Sequence, residues 1–270
     1  MAKIDKLKEI VAKKKEKIAL AKQSLPEEEL KNKIADLSPP RPFIEAINKP
    51  RTITLIAEIK KQSPSQGLIC ESFDPKDIAA IYKDAGVQAI SVLTEEDFFG
   101  GSLRHISEVK SCVDLPILRK DFILEPYQVY ESRFFGADAI LLIADLLSKE
   151  NLSELIVLAD SLGLDCLVES HTEKELKKVL SLKVSQEKRF ILFALGLNNR
   201  DLHTLEVDLK TTERLFPLIP KERTVVVESG IKNYQDVLFL KILGVNAVLV
   251  GEAILKTQDK KAAIQDLMGW

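Results

Sequence analysis

From about residue 52 onward the chain alternates without a break between short apolar, β-branched runs and amphipathic stretches, and this constrains its fold more than any other feature. The apolar runs lie at 53–59, 89–93, 116–119, 139–143, 165–168, 191–195, 225–227 and 247–250. Helical periodicity follows each of them, at 75–85, 103–112, 126–135, 149–162, 173–180, 209–218, 234–243 and 260–268. Strands that read as continuous apolar runs are buried on both faces, as in a parallel sheet covered by its crossover helices. A recurring phrase marks the joints: Gly86-Val87-Gln88-Ala89, Gly136-Ala137-Asp138-Ala139 and Gly244-Val245-Asn246-Ala247 share a Gly-x-x-Ala core. Glycine at that place ends the preceding helix through a left-handed cap. Eight strand–helix units can close into a barrel. An open doubly wound sheet competes with that solution, but no GxGxxG opens a helix after the first strand. The fold class is therefore α/β, a (β/α)8 TIM barrel with an N-terminal helical extension. The 270 residues match the roughly 250 of one such barrel and are too few for two.

Residues 1–48 read as the extension and 49–270 as the barrel, one domain overall. The stretch from Ala2 to Lys22 is basic and amphipathic, with Ile4, Leu7, Val11 and Ile18 near one face. Acidic residues interleave its lysines, so a solvated helix docked through its apolar stripe is preferred to a membrane-surface or RNA-binding helix. It lacks the continuous apolar core of a signal peptide and the arginines of a transit peptide. Leu25-Pro26-Glu27 restarts a helix with proline in its first turn, and Ser38-Pro39-Pro40-Arg41-Pro42 breaks structure.

The formal net charge of -2 offers no general attraction to nucleic acid or to an anionic membrane. No apolar stretch is long enough to span a bilayer. Cys70, Cys112 and Cys166 are scattered and show no CxxC spacing, which disfavours a disulfide framework or a zinc site and fits a cytoplasmic location. His105, His171 and His203 show no metal-binding spacing and read as surface or capping residues. A metal site is not expected.

Chemistry in a parallel barrel sits where the strands end. After the first strand, Glu58 and Lys60 share one face, because side chains alternate along a strand, while Ile53, Leu55, Ala57 and Ile59 face the helices. After the third, Lys120 and Phe122 share the inner face, and Arg119 and Asp121 can pair on the outer one. The fifth run contributes Glu169, the sixth Asn198 and Arg200, the seventh Glu228. Gathering so many charges for stability alone would be costly, so an active site is the better explanation. Ser229-Gly230 after strand seven, and Gly251-Glu252 before a short helical stretch at 253–255, form the pattern of a barrel phosphate site. The ligand is expected to be a phosphorylated small molecule.

These residues carry a resemblance. Ala57-Glu58-Ile59-Lys60-Lys61-Gln62-Ser63-Pro64-Ser65 is similar to the signature of the indole-3-glycerol-phosphate synthase family of tryptophan biosynthesis. The likeness continues through Leu93-Thr94-Glu95-Glu96, Phe99-Gly100-Gly101-Ser102 and 116–128, recurs at 196–202 and 227–231, and ends at 249–253. It implies ring closure, decarboxylation and dehydration of 1-(2-carboxyphenylamino)-1-deoxyribulose 5-phosphate to indole-3-glycerol phosphate, without a cofactor. It further implies that Lys120 is the general acid for ring closure. Glu169 stabilises or deprotonates the anilinium-like intermediate. Lys60 faces the substrate carboxylate and assists dehydration, with Glu58 as its partner carboxylate and base. Asn198, Arg200 and Glu228 hold the sugar hydroxyls, and Phe122 packs against the aromatic ring. Ser63, Ser229, Gly230, Gly251 and Glu252 form the ligand and phosphate shell.

Two positions depart from the family pattern: Glu252 stands where some members have serine, and Gly100 where asparagine is common. The extension matches in position only. By analogy it closes the site, in which case deleting residues 1–40 should raise KM. Three other readings compete. A phosphoribosylanthranilate isomerase barrel would expect a cysteine where this chain has Glu58 and Lys60. A non-catalytic phosphate-binding scaffold would not need Glu58, Lys60, Lys120 and Glu169 intact. An RNA or membrane partner would bind through the lysine-rich N-terminus. The expected state is a monomer or weak homo-oligomer, with neither nucleic acid nor membrane as partner.

Overall fold

The computed structural model describes residues 5–186 and 189–270; the apolar-stripe position Ile4 lies outside them. Eight parallel strands close a barrel in chain order: β1 Thr54–Ile59, β2 Ala89–Leu93, β3 Ile117–Lys120, β4 Ala139–Ile143, β5 Asp165–Ser170, β6 Ala194–Asn198, β7 Val225–Glu228 and β8 Ala247–Val250. Closure is by β1 on β8, with Thr54 opposite Ala247 and Ala57 opposite Val250. Three helices precede the barrel, α1 Lys6–Ser24, α2 Glu27–Ile34 and α3 Phe43–Ile47. The outer helices are α4 Pro75–Asp84, α5 Leu103–Lys110, α6 Pro126–Phe135, α7 Lys149–Ser161, α8 Glu173–Leu180, α9 Lys210–Leu215, α10 Tyr234–Leu243 and α12 Lys260–Met268. The four-residue helix α11, Glu252–Leu255, follows β8. No described helix is long and apolar enough to cross a membrane.

Local chemistry sets the boundaries. Asp74 caps α4 ahead of Pro75, and Thr172 with Glu175 and Asn233 with Asp236 form capping boxes on α8 and α10. Gly136 and Gly244 close α6 and α10 in the left-handed region, at φ 93° and 104°. The stretch expected to be helical at 209–218 is split: α9 stops at Leu215, and a 3-10 turn at Phe216–Leu218 accommodates Pro217.

One strand differs from the sequence expectation. The run at 191–195 is only partly strand, and β6 begins three residues later. Ile191 and Phe193 are buried beneath the outer helices with Leu155 and Val179, while Leu192 between them is 71% exposed. The backbone N–H of Ile191 donates to Val184 O. This lead-in copies the apolar character of a strand without joining the barrel ladder.

Side-chain parity divides the core. Ile56, Leu118, Leu141, Leu167, Val226 and Leu249 fill the barrel interior. Leu55, Ala57, Ile90, Ile117 and Val227 face the helices. At the base, Phe43 and Ile47 of α3 plug the interior, and Ile47 O accepts from Thr54 Oγ1 at 2.7 Å. Asp138 and Asp165, at the starts of β4 and β5, accept the backbone N–H groups of Arg41 and Ile44. Helix α2 lies against α6, with Leu30 fully buried beside Tyr127. Helix α1 crosses the opposite end, where Leu7 and Ile10 pack with Phe122. The extension therefore touches both ends of the barrel.

On the outer side of β3, Arg119 is 2% exposed. Its guanidinium contacts Asp121 Oδ2 and Glu131 Oε2, each at 2.9 Å, and donates to Ser132 Oγ and Gln128 O. A buried ion pair adds little over well-packed apolar groups, but breaking one strands a charge and costs about 3–5 kcal/mol. Arg119→Met should therefore lower the urea-unfolding free energy by about 3 kcal/mol. A loss below about 1 kcal/mol, the size of an exposed pair, would show that Glu131 and Asp121 find other partners.

Candidate active site

Each charged group expected at the mouth is the last or near-last residue of a strand. Glu58 ends β1 one residue before its close, Lys120 ends β3, Glu169 is the penultimate residue of β5, Asn198 ends β6 and Glu228 ends β7. Lys60 follows β1 directly. Since parallel neighbours in register share a face, these side chains turn inward together. Lys60 Nζ lies 2.5 Å from Glu58 Oε1. Lys120 Nζ is shared between Glu169 Oε2 at 2.8 Å and Glu228 Oε2 at 2.9 Å. Asn198 Nδ2 donates to Glu169 Oε1 at 2.8 Å, so both oxygens of Glu169 are held.

Three buried carboxylates thus share two ammonium groups. Burial works against the Lys120 charge, but Glu169, Glu228 and Glu58 together hold its ammonium well above the usual lysine range. Burial pushes the Glu228 carboxyl up to about 7, with Glu169 and Glu58 adding to the rise and Lys120 opposing it. Glu228 Oε1 has no hydrogen-bond partner. Glu228 accordingly holds a proton more readily than an ordinary carboxyl.

Two glycines make room for these groups. A Cβ on Gly251 would stand 2.6 Å from Glu58 Oε1, and one on Gly196 would stand 2.9 Å from Glu228 Oε1. Gly251 was read from sequence as allowing backbone approach to a phosphate; here it also yields space to the Glu58 carboxylate. After β7, Ser229 adopts φ 67° and Gly230 φ 82°. The left-handed region is unusual for serine, and such backbone is held only where its surroundings over-determine it. Asn199 supplies part of that hold, since its Nδ2 donates to Ser229 O at 3.1 Å.

The remaining sequence candidates are less converged. Arg200 directs its guanidinium to Leu205 O at 2.9 Å, within its own loop. Ser63 lies in a short antiparallel pair, Gln62–Ser63 with Gly67–Leu68, and its Oγ is 3.5 Å from Ser65 Oγ. Glu252 pairs with Lys256 at 2.7 Å, and Lys256 also donates to Gln66. Phe122 faces Phe99 with ring centroids 6.3 Å apart. His171 is no cap: Thr172 fills that place, and His171 Nδ1 lies 2.7 Å from Asn198 O at the mouth. His203 is exposed, and its ring bridges Asp5 on α1 and Asp145 after β4. His105 is half-buried against Phe73.

Sequence reasoning missed Lys14, which is buried under α1 and lies 2.7 Å from Asp121 Oδ1. The signal was present, for Lys14 falls at helical spacing between Ile10 and Ile18 on the buried stripe. Cavities of about 370 and 470 Å3 lie at the barrel base beside Trp270 and between α2 and α6. Neither is lined by an aspartate or a glutamate. Among the described residues, no cluster of His, Cys, Asp or Glu is arranged to hold a metal ion.

The family model described as indole-3-glycerol phosphate synthase matches residues 7–267. The chain is 50% identical over 250 residues to an indole-3-glycerol phosphate synthase of Dehalococcoides mccartyi (strain CBDB1), covering 92% of this chain and 93% of that protein. It is 44% identical over 263 residues to one from Desulforamulus reducens, covering 97% and 96%. Among solved structures, 3-hexulose-6-phosphate synthase from Salmonella typhimurium superposes with a TM-score of 0.63 at 14% identity, covering 80% of this chain and 97% of that one; this likeness concerns the fold alone.

The Glu228 geometry has a consequence for stability. Its folded pKa of about 7 stands above its ordinary 4.5, so the folded protein retains a proton that the unfolded chain loses. Its destabilising contribution is absent below pH 4.5, grows up to about pH 7 and is constant above that. The unfolding free energy of Glu228→Gln minus that of the wild type should rise across this window and be flat outside it, as read from urea titrations at stepped pH. A difference that does not change with pH would mean that Glu228 keeps its ordinary pKa in the folded protein.

Proposed function

The chain belongs to the indole-3-glycerol phosphate synthase family, and we propose that it runs the family's reaction with the charged cluster at its barrel mouth. The reaction is that of a carboxy-lyase of tryptophan biosynthesis. It closes, decarboxylates and dehydrates 1-(2-carboxyphenylamino)-1-deoxyribulose 5-phosphate, giving indole-3-glycerol phosphate, carbon dioxide and water. The observation that carries the residue assignment is the sharing of Lys120 between Glu169 and Glu228, beside the Lys60–Glu58 pair.

In this reading Lys120 is the general acid. Ring closure forms a carbon–carbon bond between the carboxylate-bearing aromatic carbon and the C2 carbonyl carbon, and the carbonyl oxygen takes a proton. Lys120 enters that step protonated, because the surrounding carboxylates hold it so. An acid with a raised pKa gives up its proton reluctantly, so binding of the anionic substrate must take over part of the ion pairing. Lys60 faces the substrate carboxylate until carbon dioxide leaves and the ring regains aromaticity. Water then leaves as the new hydroxyl accepts a proton and the adjacent carbon loses one. Glu169 and Glu58 are the bases within reach of such a step, and Lys60 assists as acid.

Asn198, Arg200 and Glu228 form the sugar-binding wall. Ser63, Ser229, Gly230, Gly251 and Glu252 form the ligand and phosphate shell, and Phe122 the wall for the aromatic ring. Arg200 and Glu252, now bonded to Leu205 O and Lys256, must turn to take part. Residues 1–48 act as an extension to a catalytic barrel of 49–270. The protein works in the cytoplasm as a monomer or weak homo-oligomer, without nucleic-acid or membrane partners. Ion pairs from Lys14, Lys17 and Lys22 to barrel carboxylates support that last point, since they occupy lysines that would otherwise contact phosphates.

Purified protein incubated with 1-(2-carboxyphenylamino)-1-deoxyribulose 5-phosphate should yield indole fluorescence. Lys120→Ala should lower kcat by about 10²–10⁴-fold, the range of a lost general acid. Folded wild type that binds the compound without forming product would overturn the chemistry and leave the scaffold reading.

A further inference from the structure

Helix α1 presents Leu7, Ile10, Lys14 and Ile18 to the body of the protein. Three are apolar, and the fourth is a lysine only 7% exposed. Its ammonium ends 2.7 Å from Asp121 Oδ1. Asp121 is otherwise gripped by Arg119 Nη2 at 2.9 Å and Thr94 Oγ1 at 2.6 Å, and its Oδ1 accepts the backbone N–H of Phe122 at 2.8 Å.

Asp121 is the residue between Lys120 and Phe122. Strand alternation turns those two inward and Asp121 outward, so whatever fixes Asp121 fixes the backbone from which both inner side chains project. Thr94 grips the same segment a second time, because its backbone N–H donates to Lys120 O at 3.1 Å. The outer cluster holds two cations, Lys14 and Arg119, against Asp121 and Glu131, and the buried Glu95 lies near enough to feel both Lys14 and Asp121. Without Lys14, a net negative charge would remain buried directly behind β3.

Docking alone does not call for a lysine here. An apolar side chain of similar size in the same stripe would dock α1 as well or better, since a buried ion pair seldom exceeds its apolar replacement in stability. What a lysine adds is a charge and a directional hydrogen bond on Asp121. We propose that Lys14 is a positioning residue of the active site: carried in by the N-terminal helix, it completes the coordination of Asp121 and so sets where the end of β3 holds Lys120 and Phe122. The proposal rests on the assignment of Lys120 as the general acid.

The test compares wild type, Lys120→Ala, Lys14→Met and Lys14→Arg, with kcat and KM separated. Lys14→Gln, which keeps a hydrogen-bond donor without the charge, serves where the Met variant does not fold. Lys14→Met or Lys14→Gln should lower kcat by on the order of 10–10²-fold, the scale of a misplaced catalytic group, while KM changes little. Lys14→Arg should recover most of the loss. The pH profile of kcat/KM should also move: losing a buried cation raises the pKa of nearby carboxyls, so any limb set by a mouth carboxyl shifts to higher pH. In the double variant Lys14→Met/Asp121→Asn, stability should return, because no carboxylate is left unpaired, but kcat should not. Wild-type kcat in folded Lys14→Met and Lys14→Gln overturns the proposal, as does a change confined to KM. Either result, obtained with active wild type and inactive Lys120→Ala, leaves the assignment of Lys120 standing. An inactive wild type overturns that assignment and this proposal together.

Discussion

Two ammonium groups distributed among three carboxylates at one end of a closed barrel are the interaction around which the rest of this structure is arranged. Glu58, Glu169 and Glu228 are each 5% exposed or less, and burying such groups is costly unless they are paired, as they are here with Lys60 and Lys120. Lys120 in turn is held charged by the carboxylates around it. Burial and the neighbouring carboxylates push the Glu228 carboxyl up to about 7. Such a cluster is a costly way to stabilise a fold but a suitable starting state for a reaction that needs both a proton donor and a proton acceptor.

Strand β3 shows how the fold supports that cluster. Its inner face contributes Lys120 to the mouth, and its outer face carries the Arg119–Asp121–Glu131 network against α6. The two ionic systems stand back to back on one strand, separated by alternation alone. A one-residue slip in register would exchange them, sending Arg119 into the mouth and Lys120 under α6. The outer network, fully satisfied, therefore specifies the register on which the inner one depends.

Most of this was legible in the sequence because it follows from periodicity. Continuous apolar runs located the strands, alternation assigned Glu58, Lys60 and Lys120 to one face, and the Gly-x-x-Ala phrase marked the joints. Misreadings arose where a residue's character and its position disagree. Ile191 and Phe193 are as apolar as strand residues, yet they cover the helices' undersides before β6 begins. Lys14 is charged, yet it lies on a buried stripe, because its partner Asp121 is 107 positions away and no local pattern links them. Arg200 and Glu252 occupy the expected places, but their side chains turn to Leu205 O and Lys256, and sequence carries no record of rotamers.

The two interior glycines explain how two of the three carboxylates find space at the mouth. Glu58 on β1 leans over Gly251, which directly follows the adjacent strand β8, and Glu228 on β7 leans over Gly196 of the adjacent strand β6. In each case the space of a missing Cβ on a neighbouring strand is taken by a carboxylate oxygen. Alanine at either place would push an oxygen inward by direct contact, since a Cβ 2.6 or 2.9 Å from that oxygen is closer than van der Waals radii permit. The acids beside Gly196 and Gly251 thus favour glycine at both places, whatever Gly251 also contributes to a phosphate. This ties the spacing of the glycines to the positions of the glutamates: moving either carboxylate to another strand would require its glycine to move as well.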